Sequence, residues 1–173
     1  MTVIKDSKLR VMSSLDLEQV LEWRNHPNIR RYMYRTHEIT IDEHRKWFDL
    51  ASKNRGITLL IYEQNKKTRG VVKISQATCA QVADWGFYLA PNSPKGTGRN
   101  LGTTALTYAF TQLELHKVCG QVIAFNKRSI DFHKALGFAE EGRMQEQHFD
   151  GKKFHDVVYF GLLRDMWQSA EED

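Results

Sequence analysis

The stretch from Val82 to Gly137 constrains this chain more than any other. Val82–Leu89 reads as a strand, and Pro91-Asn92-Ser93-Pro94 stops it because proline donates no ladder hydrogen bond. A glycine-bearing loop, Lys95-Gly96-Thr97-Gly98-Arg99-Asn100-Leu101-Gly102, leads into a helix predicted over Thr103–Leu115. Strand Lys117–Phe125 follows, then helix Lys127–Leu136, closed by Gly137 as a left-handed stop. Glycines before a helix let backbone N–H groups approach a ligand, and the helix start adds about half a positive charge. Together they suit a pyrophosphate. No G-K-[ST] ends the loop, so it is no P-loop, and no early βαβ unit makes it a dinucleotide fingerprint. A plain surface turn is the alternative reading of the loop taken alone.

The rest of the chain supplies more strands and short helices. A strand is predicted over Val3–Met12, with Ser14 or Asp16 capping a helix Leu17–Arg24 that His26-Pro27-Asn28 breaks. A second short helix is predicted over Ile29–Tyr34. Thr40-x-x-Glu43 has the form of a capping box for a third, Ile41–Ser52, which places His44, Trp47 and Phe48 on one face. Strands Ile57–Glu63 and Gly70–Ser75 flank a turn at residues 64–67. Phe138–Phe149 and Lys153–Leu163 flank another at Asp150-Gly151. Clustered strands with interposed helices predict a mixed α/β (α+β) domain whose sheet is largely antiparallel.

Composition bounds the partners. With 173 residues, 3 prolines and 11 glycines, the chain has the makings of one domain with one sizeable core. Basic side chains exceed acidic ones by seven in residues 1–110, and acidic exceed basic by three thereafter. A basic first part suits anionic small molecules, and also nucleic acid. Cys79 and Cys119 form neither a disulfide framework nor a zinc motif, and His37 and His44 lack a supporting ligand set, so no metal is expected. Four charges within the first ten residues interrupt any signal-peptide core, and no apolar run reaches membrane-spanning length. A cytoplasmic location is the expectation.

The glycine loop, taken with Asn126-Lys127-Arg128-Ser129-Ile130-Asp131-Phe132-His133-Lys134-Ala135-Leu136-Gly137-Phe138, resembles the GNAT superfamily of N-acetyltransferases. The resemblance implies a central mixed, mostly antiparallel sheet of about seven strands flanked by helices, with acetyl-CoA as cosubstrate. The implied acetyl-CoA contacts are Lys95, Gly96, Gly98, Arg99, Asn100, Leu101 and Gly102 for the pyrophosphate. Asn126 and Ser129 lie along the pantetheine arm, with Phe87 and Leu89 on the preceding strand. Two departures stand out. Asn100 replaces a customary glycine, and asparagine tolerates the left-handed region better than most residues. His133 stands where many relatives carry a tyrosine that protonates the departing thiolate; histidine can do the same work near neutral pH. Tyr88 is the second candidate for that proton.

Trp23-Arg24-Asn25-His26-Pro27-Asn28, Met33-Tyr34, His44-x-x-Trp47-Phe48, Trp85-Gly86-Phe87-Tyr88 and Glu140-Glu141-Gly142-Arg143 narrow the resemblance. They look like the UDP-4-amino-4,6-dideoxy-N-acetyl-altrosamine N-acetyltransferases of pseudaminic acid biosynthesis, which feed flagellin glycosylation. That likeness puts Arg24, Met33, Tyr34, His44 and Trp47 in the acceptor pocket. Chemically, Arg24 can grip a phosphate in two-point fashion, His44 can donate to another oxygen, and Met33, Tyr34 and Trp47 offer flat apolar area. Direct attack of a neutral amine on the thioester is then expected, with backbone donors at Phe87–Leu89 for the oxyanion. A homodimer is compatible with this reading, and neither nucleic acid nor membrane is needed. The alternatives are acetylation of a protein N-terminus, as on a ribosomal protein, and a non-catalytic RNA-binding module.

Overall fold

The computed structural model describes residues 6–167. Seven strands form one sheet: β1 (Ser7–Val11), β2 (Ile57–Gln64), β3 (Lys67–Gln76), β4 (Val82–Leu89), β5 (Lys117–Ile123), β6 (Ala139–Phe149) and β7 (Phe154–Leu163). Their order is β1-β2-β3-β4-β5-β7-β6, and β4–β5 is the parallel neighbour pair in an otherwise antiparallel sheet. Among the described residues five α-helices accompany it, α1 (Leu17–Asn25), α2 (Pro27–Arg30), α3 (Ile41–Lys53), α4 (Thr97–Thr111) and α5 (Lys127–Ala135), with a 3-10 turn at Ser14–Asp16 and helical residues at 164–167. The α+β architecture is the one the sequence predicts. Residues 3–5 of the first predicted strand, and the acidic tail Glu171-Glu172-Asp173, lie outside the described residues.

Both faces of the sheet are buried in its first half, which explains the unbroken apolar run of β2. Leu60 and Tyr62 point into a core shared with α4, Val72, Trp85 and Phe160. Leu59 and Ile61 point the other way, into a core shared with Val20 and Trp23 of α1, Ala51 of α3 and Val71. Alternation along a strand puts successive residues on opposite faces, so a strand sandwiched by helices reads as continuously hydrophobic. Helices α4 and α5 therefore lie on one face, and α1–α3 on the other.

Several boundaries differ from expectation for local reasons. Pro27 starts α2 at its favoured first position, with His26 Nδ1 accepting from the Asn28 N–H at 3.2 Å, and the helix is over by Arg30. The β2–β3 hairpin turns on Asn65 and Lys66, both left-handed at φ 51° and 61°. Most important, α4 begins at Thr97 rather than Thr103. Gly96 (φ +90°) is its N-cap, and the Asn100 N–H already bonds the Gly96 carbonyl at 3.2 Å. Glu114, left-handed at φ 51°, stands just beyond its C-terminal end at Thr111.

Candidate active site

The early start of α4 changes what its glycines do. Gly96 supplies the left-handed turn, which a side chain would strain. The Thr97 N–H closes onto Pro94 at 3.2 Å, and the amides of Gly98 and Arg99 have no backbone partner among the described residues. These are the orphan donors of a helix start, flanked by the exposed cations Lys95 and Arg99. Asn100 needs no left-handed backbone, because it is inside the helix. Leu101 is fully buried in the core, so its side chain is closed to a ligand. A Cβ on Gly102 would meet Leu136 at 2.7 Å and Phe132 at 2.8 Å. Gly102 is thus glycine because α4 and α5 cross there, and a cofactor contact at Leu101 or Gly102 would have to come from backbone rather than side chain.

The β4–β5 ladder extends from Val82↔Lys117 through Asp84↔Cys119 and then ends. Beyond Asp84 the two strands form no further pair, so the β4 edge from Trp85 to Leu89 is not bonded to β5. Phe87 and Leu89 of this unpaired stretch pack toward α4 and α5. Phe87 lies 5.0 Å from Phe132, ring to ring, and Leu89 is the nearest neighbour that a Cβ on Gly98 would have, at 3.5 Å. Asn126 caps α5, its Oδ1 accepting from the Ser129 N–H at 3.2 Å.

His133 does not fit the acid role expected of it. Only 3% of it is exposed. Nε2 accepts from the Trp85 indole at 3.1 Å and Nδ1 bonds the Ser129 carbonyl at 2.7 Å, so both nitrogens are committed. Burial lowers its pKa below the ordinary value, with the Ser129 carbonyl opposing, which leaves a neutral imidazole with no proton to deliver. Sequence reasoning missed Gly120, the position facing this pair. A glycine inside a strand is the signal of a close approach that could have found it.

On the opposite face, three of the expected side chains come together from three elements. Arg24 of α1 acts electrostatically on both His44 of α3 and Tyr88 of β4. Arg24 Nη2 donates to the Arg35 carbonyl at 2.7 Å, while Nη1 is buried with no partner. His44, 4% exposed, stacks on Trp47 at 5.1 Å and 17°, and its Nε2 is likewise buried without a partner. Burial, then the Arg24 charge, lowers the His44 pKa, and a hydrogen bond with the Leu17 backbone opposes them. The unpartnered Nε2 of His44 is left to pair with a ligand, accepting or donating according to the tautomer. Burial pushes the Tyr88 phenol up, with Arg24 pulling the other way. Tyr34 stands apart from these three. It crosses to β5, donating to Gln121 Oε1 at 3.1 Å and meeting the His148 ring at 5.3 Å. Met33 beside it is half-buried.

Residues 8–139 match the family described as Acetyltransferase (GNAT) domain. The chain belongs to the GNAT acetyltransferases. Among GNAT relatives, it is 26% identical to a spermidine N(1)-acetyltransferase of Vibrio cholerae over 95% of this chain and 96% of that one. It is 25% identical to the acetyltransferase PseH of Campylobacter jejuni, over 79% of this chain and 85% of the relative. The fold of this GNAT protein superposes on the Vibrio cholerae spermidine N-acetyltransferase in complex with CoA and spermine. The TM-score is 0.85 at 24% identity, covering 94% of this chain and 98% of the other. This GNAT enzyme is therefore an acetyl-CoA-dependent N-acetyltransferase.

Proposed function

We propose that the enzyme acetylates the 4-amino group of a UDP-linked 4-amino-4,6-dideoxy-N-acetyl-altrosamine, by direct attack of the amine on acetyl-CoA with no covalent enzyme intermediate. One observation carries the reading: Arg24 Nη1 and His44 Nε2 are both buried and unpartnered in one neighbourhood. Leaving such a group unsatisfied costs about 1–3 kcal/mol, a cost that a ligand removes. A nucleoside diphosphate matches the pair. Its phosphate takes the Arg24 guanidinium, a hydroxyl or imide N–H reaches neutral His44, and the ring stacked on it, Trp47, gives a flat wall. The Arg24 charge acts on both His44 and Tyr88, and Tyr88 and Arg30 act on Arg24. Glu18, Glu22 and Glu38 line a separate cleft with Asn25 and His26, so carboxylates able to take a polyamine stand beside the pair and not on it.

On the acetyl-CoA side, the free Gly98 and Arg99 amides with the Lys95 and Arg99 charges would take the pyrophosphate. Asn126 and Ser129 would flank the pantetheine, with Phe87 and Leu89 as its apolar wall. The β4 edge at Phe87–Leu89 would offer N–H groups to the oxyanion. With His133 committed elsewhere, Tyr88 is the proton donor we assign to the departing thiolate, since burial keeps its phenol protonated well past neutral pH. The deciding assay is thiol release from acetyl-CoA with the UDP-aminosugar or with spermidine as acceptor. We expect the higher kcat/KM with the sugar; faster turnover of spermidine overturns the assignment.

A further inference from the structure

The β4–β5 ladder stops where Trp85 would next face Gly120. At that point the Trp85 indole N–H and His133 Nε2 are 3.1 Å apart, and His133 Nδ1 is held by the Ser129 carbonyl at 2.7 Å, one turn back in α5. A Cβ on residue 120 would lie 2.6 Å from His133 Nε2 and 3.1 Å from Trp85 Nε1. The hydrogen-bonded pair is therefore pressed onto bare backbone, and no other residue type leaves room for it. Because an indole only donates, His133 must accept at Nε2 and carry its proton on Nδ1.

We infer that the Trp85–His133 hydrogen bond is a positioning device that ties α5 to β4 across Gly120 and sets the opening between β4 and β5 in which acetyl-CoA seats. Both side chains sit at the closed end of that opening, so their separation fixes how far β4 stands from α5 just before Phe87 and Leu89. Among the described residues, the ring and hydrogen-bond neighbours of His133 are Trp85 and Phe87 of β4, Gly120 of β5, Ser129 and Phe132 of α5, Phe138, and Phe160 of β7. None of them is charged or titrates. Protonating His133 would turn Nε2 from acceptor to donor, set N–H against N–H, and place a cation among aromatic rings. Burial holds the ring neutral at pH 7, so the tie is intact there and is lost as pH falls. Acetyl-CoA binding is thereby coupled to an uncharged His133. The inference rests on acetyl-CoA as the donor and is independent of which amine is acetylated.

The test measures acetyl-CoA binding by calorimetry, with no acceptor present, for wild type, His133→Phe and His133→Gln. At pH 7.5, His133→Phe should weaken binding about tenfold, the weight of one hydrogen bond. His133→Gln, whose side-chain oxygen can still accept from the indole, should recover part of that loss. As pH falls below the ordinary imidazole pKa of about 6.5, the wild type should lose more affinity than His133→Gln, whose own change reports the titration of acetyl-CoA. The indole N–H resonance of Trp85, assigned with Trp85→Phe, should titrate in the wild type and stay still in His133→Gln. Should His133→Phe fail to fold, Trp85→Phe replaces it in the binding arm. Equal affinity in wild type and variants at pH 7.5, or identical pH dependence in wild type and His133→Gln, overturns the inference. Acetyl-CoA is the ligand in every arm, so a failure of the sugar assignment leaves these outcomes unchanged.

Discussion

Replacing Arg24 by methionine separates acceptor grip from fold. Methionine keeps the length of the apolar stem and removes the guanidinium. Two effects on stability then oppose each other. Losing the Nη2 bond to the Arg35 carbonyl, 2.7 Å long, costs about 1.5–3 kcal/mol for a charged donor. Removing the unpaired, buried Nη1 returns about 1–3 kcal/mol of desolvation. The net change should stay within about 1 kcal/mol, or roughly 2–4 °C in Tm for a domain of this size. The acceptor has no such compensation. A lost charge-assisted phosphate contact of about 1.5–3 kcal/mol should raise its KM roughly 10- to 150-fold. Because the contact is made equally in ground and transition states, kcat should hold. Acetyl-CoA affinity should also hold, since α1 and α4 lie on opposite faces of the sheet. The assay is thiol release at saturating acetyl-CoA with the UDP-aminosugar varied, alongside calorimetry for acetyl-CoA. An unchanged acceptor KM in a folded Arg24→Met protein would refute the pocket; a drop in acetyl-CoA affinity instead would mean that the two pockets are assigned the wrong way round.

Other substitutions report on single interactions. Gly96→Val meets no neighbour within 4 Å but must hold φ near +90°, so about 1–2 kcal/mol of strain should appear in denaturant unfolding together with weaker acetyl-CoA binding. Gly102→Val drives a branched Cβ into Leu136 and Phe132; it should lower stability by about 1–3 kcal/mol while binding stoichiometry persists, and a fully stable variant would deny the α4–α5 contact. Asp16 accepts from Arg10 at 2.7 and 2.9 Å and from the Ser13 N–H at 2.8 Å, which lowers its pKa, Arg10 being the larger cause. That stabilisation is complete above the ordinary carboxylate pKa near 4 and is lost as pH falls through the lower folded value. Asp16→Asn should therefore cost about 1–2 kcal/mol at pH 7, discounted for the part-exposed Arg10, and flatten the acid limb of Tm against pH.

Local chemistry was legible from the residues themselves. The Thr40–Glu43 capping box forms as written, with Thr40 N–H to Glu43 at 2.7 Å, because each partner needs only the other's backbone three residues away. The stop after Leu89, the Asn126 cap and the left-handed Gly137 follow from sterics and hydrogen bonding within a few residues. What the tertiary structure decided is non-local. Arg24, His44 and Tyr88 lie on α1, α3 and β4, and only packing across one sheet face brings them together and strips water from two of their nitrogens. Whether His133 is an acid or a buried acceptor depends on an indole 48 residues earlier and on a glycine that lets it approach. Gly98 and Gly102 look alike in the sequence, yet one heads a helix with its amide free and the other is pinned beneath a second helix. Spacing fixes which backbone turn a residue occupies; burial and partners are set by the chain segments that fold over it.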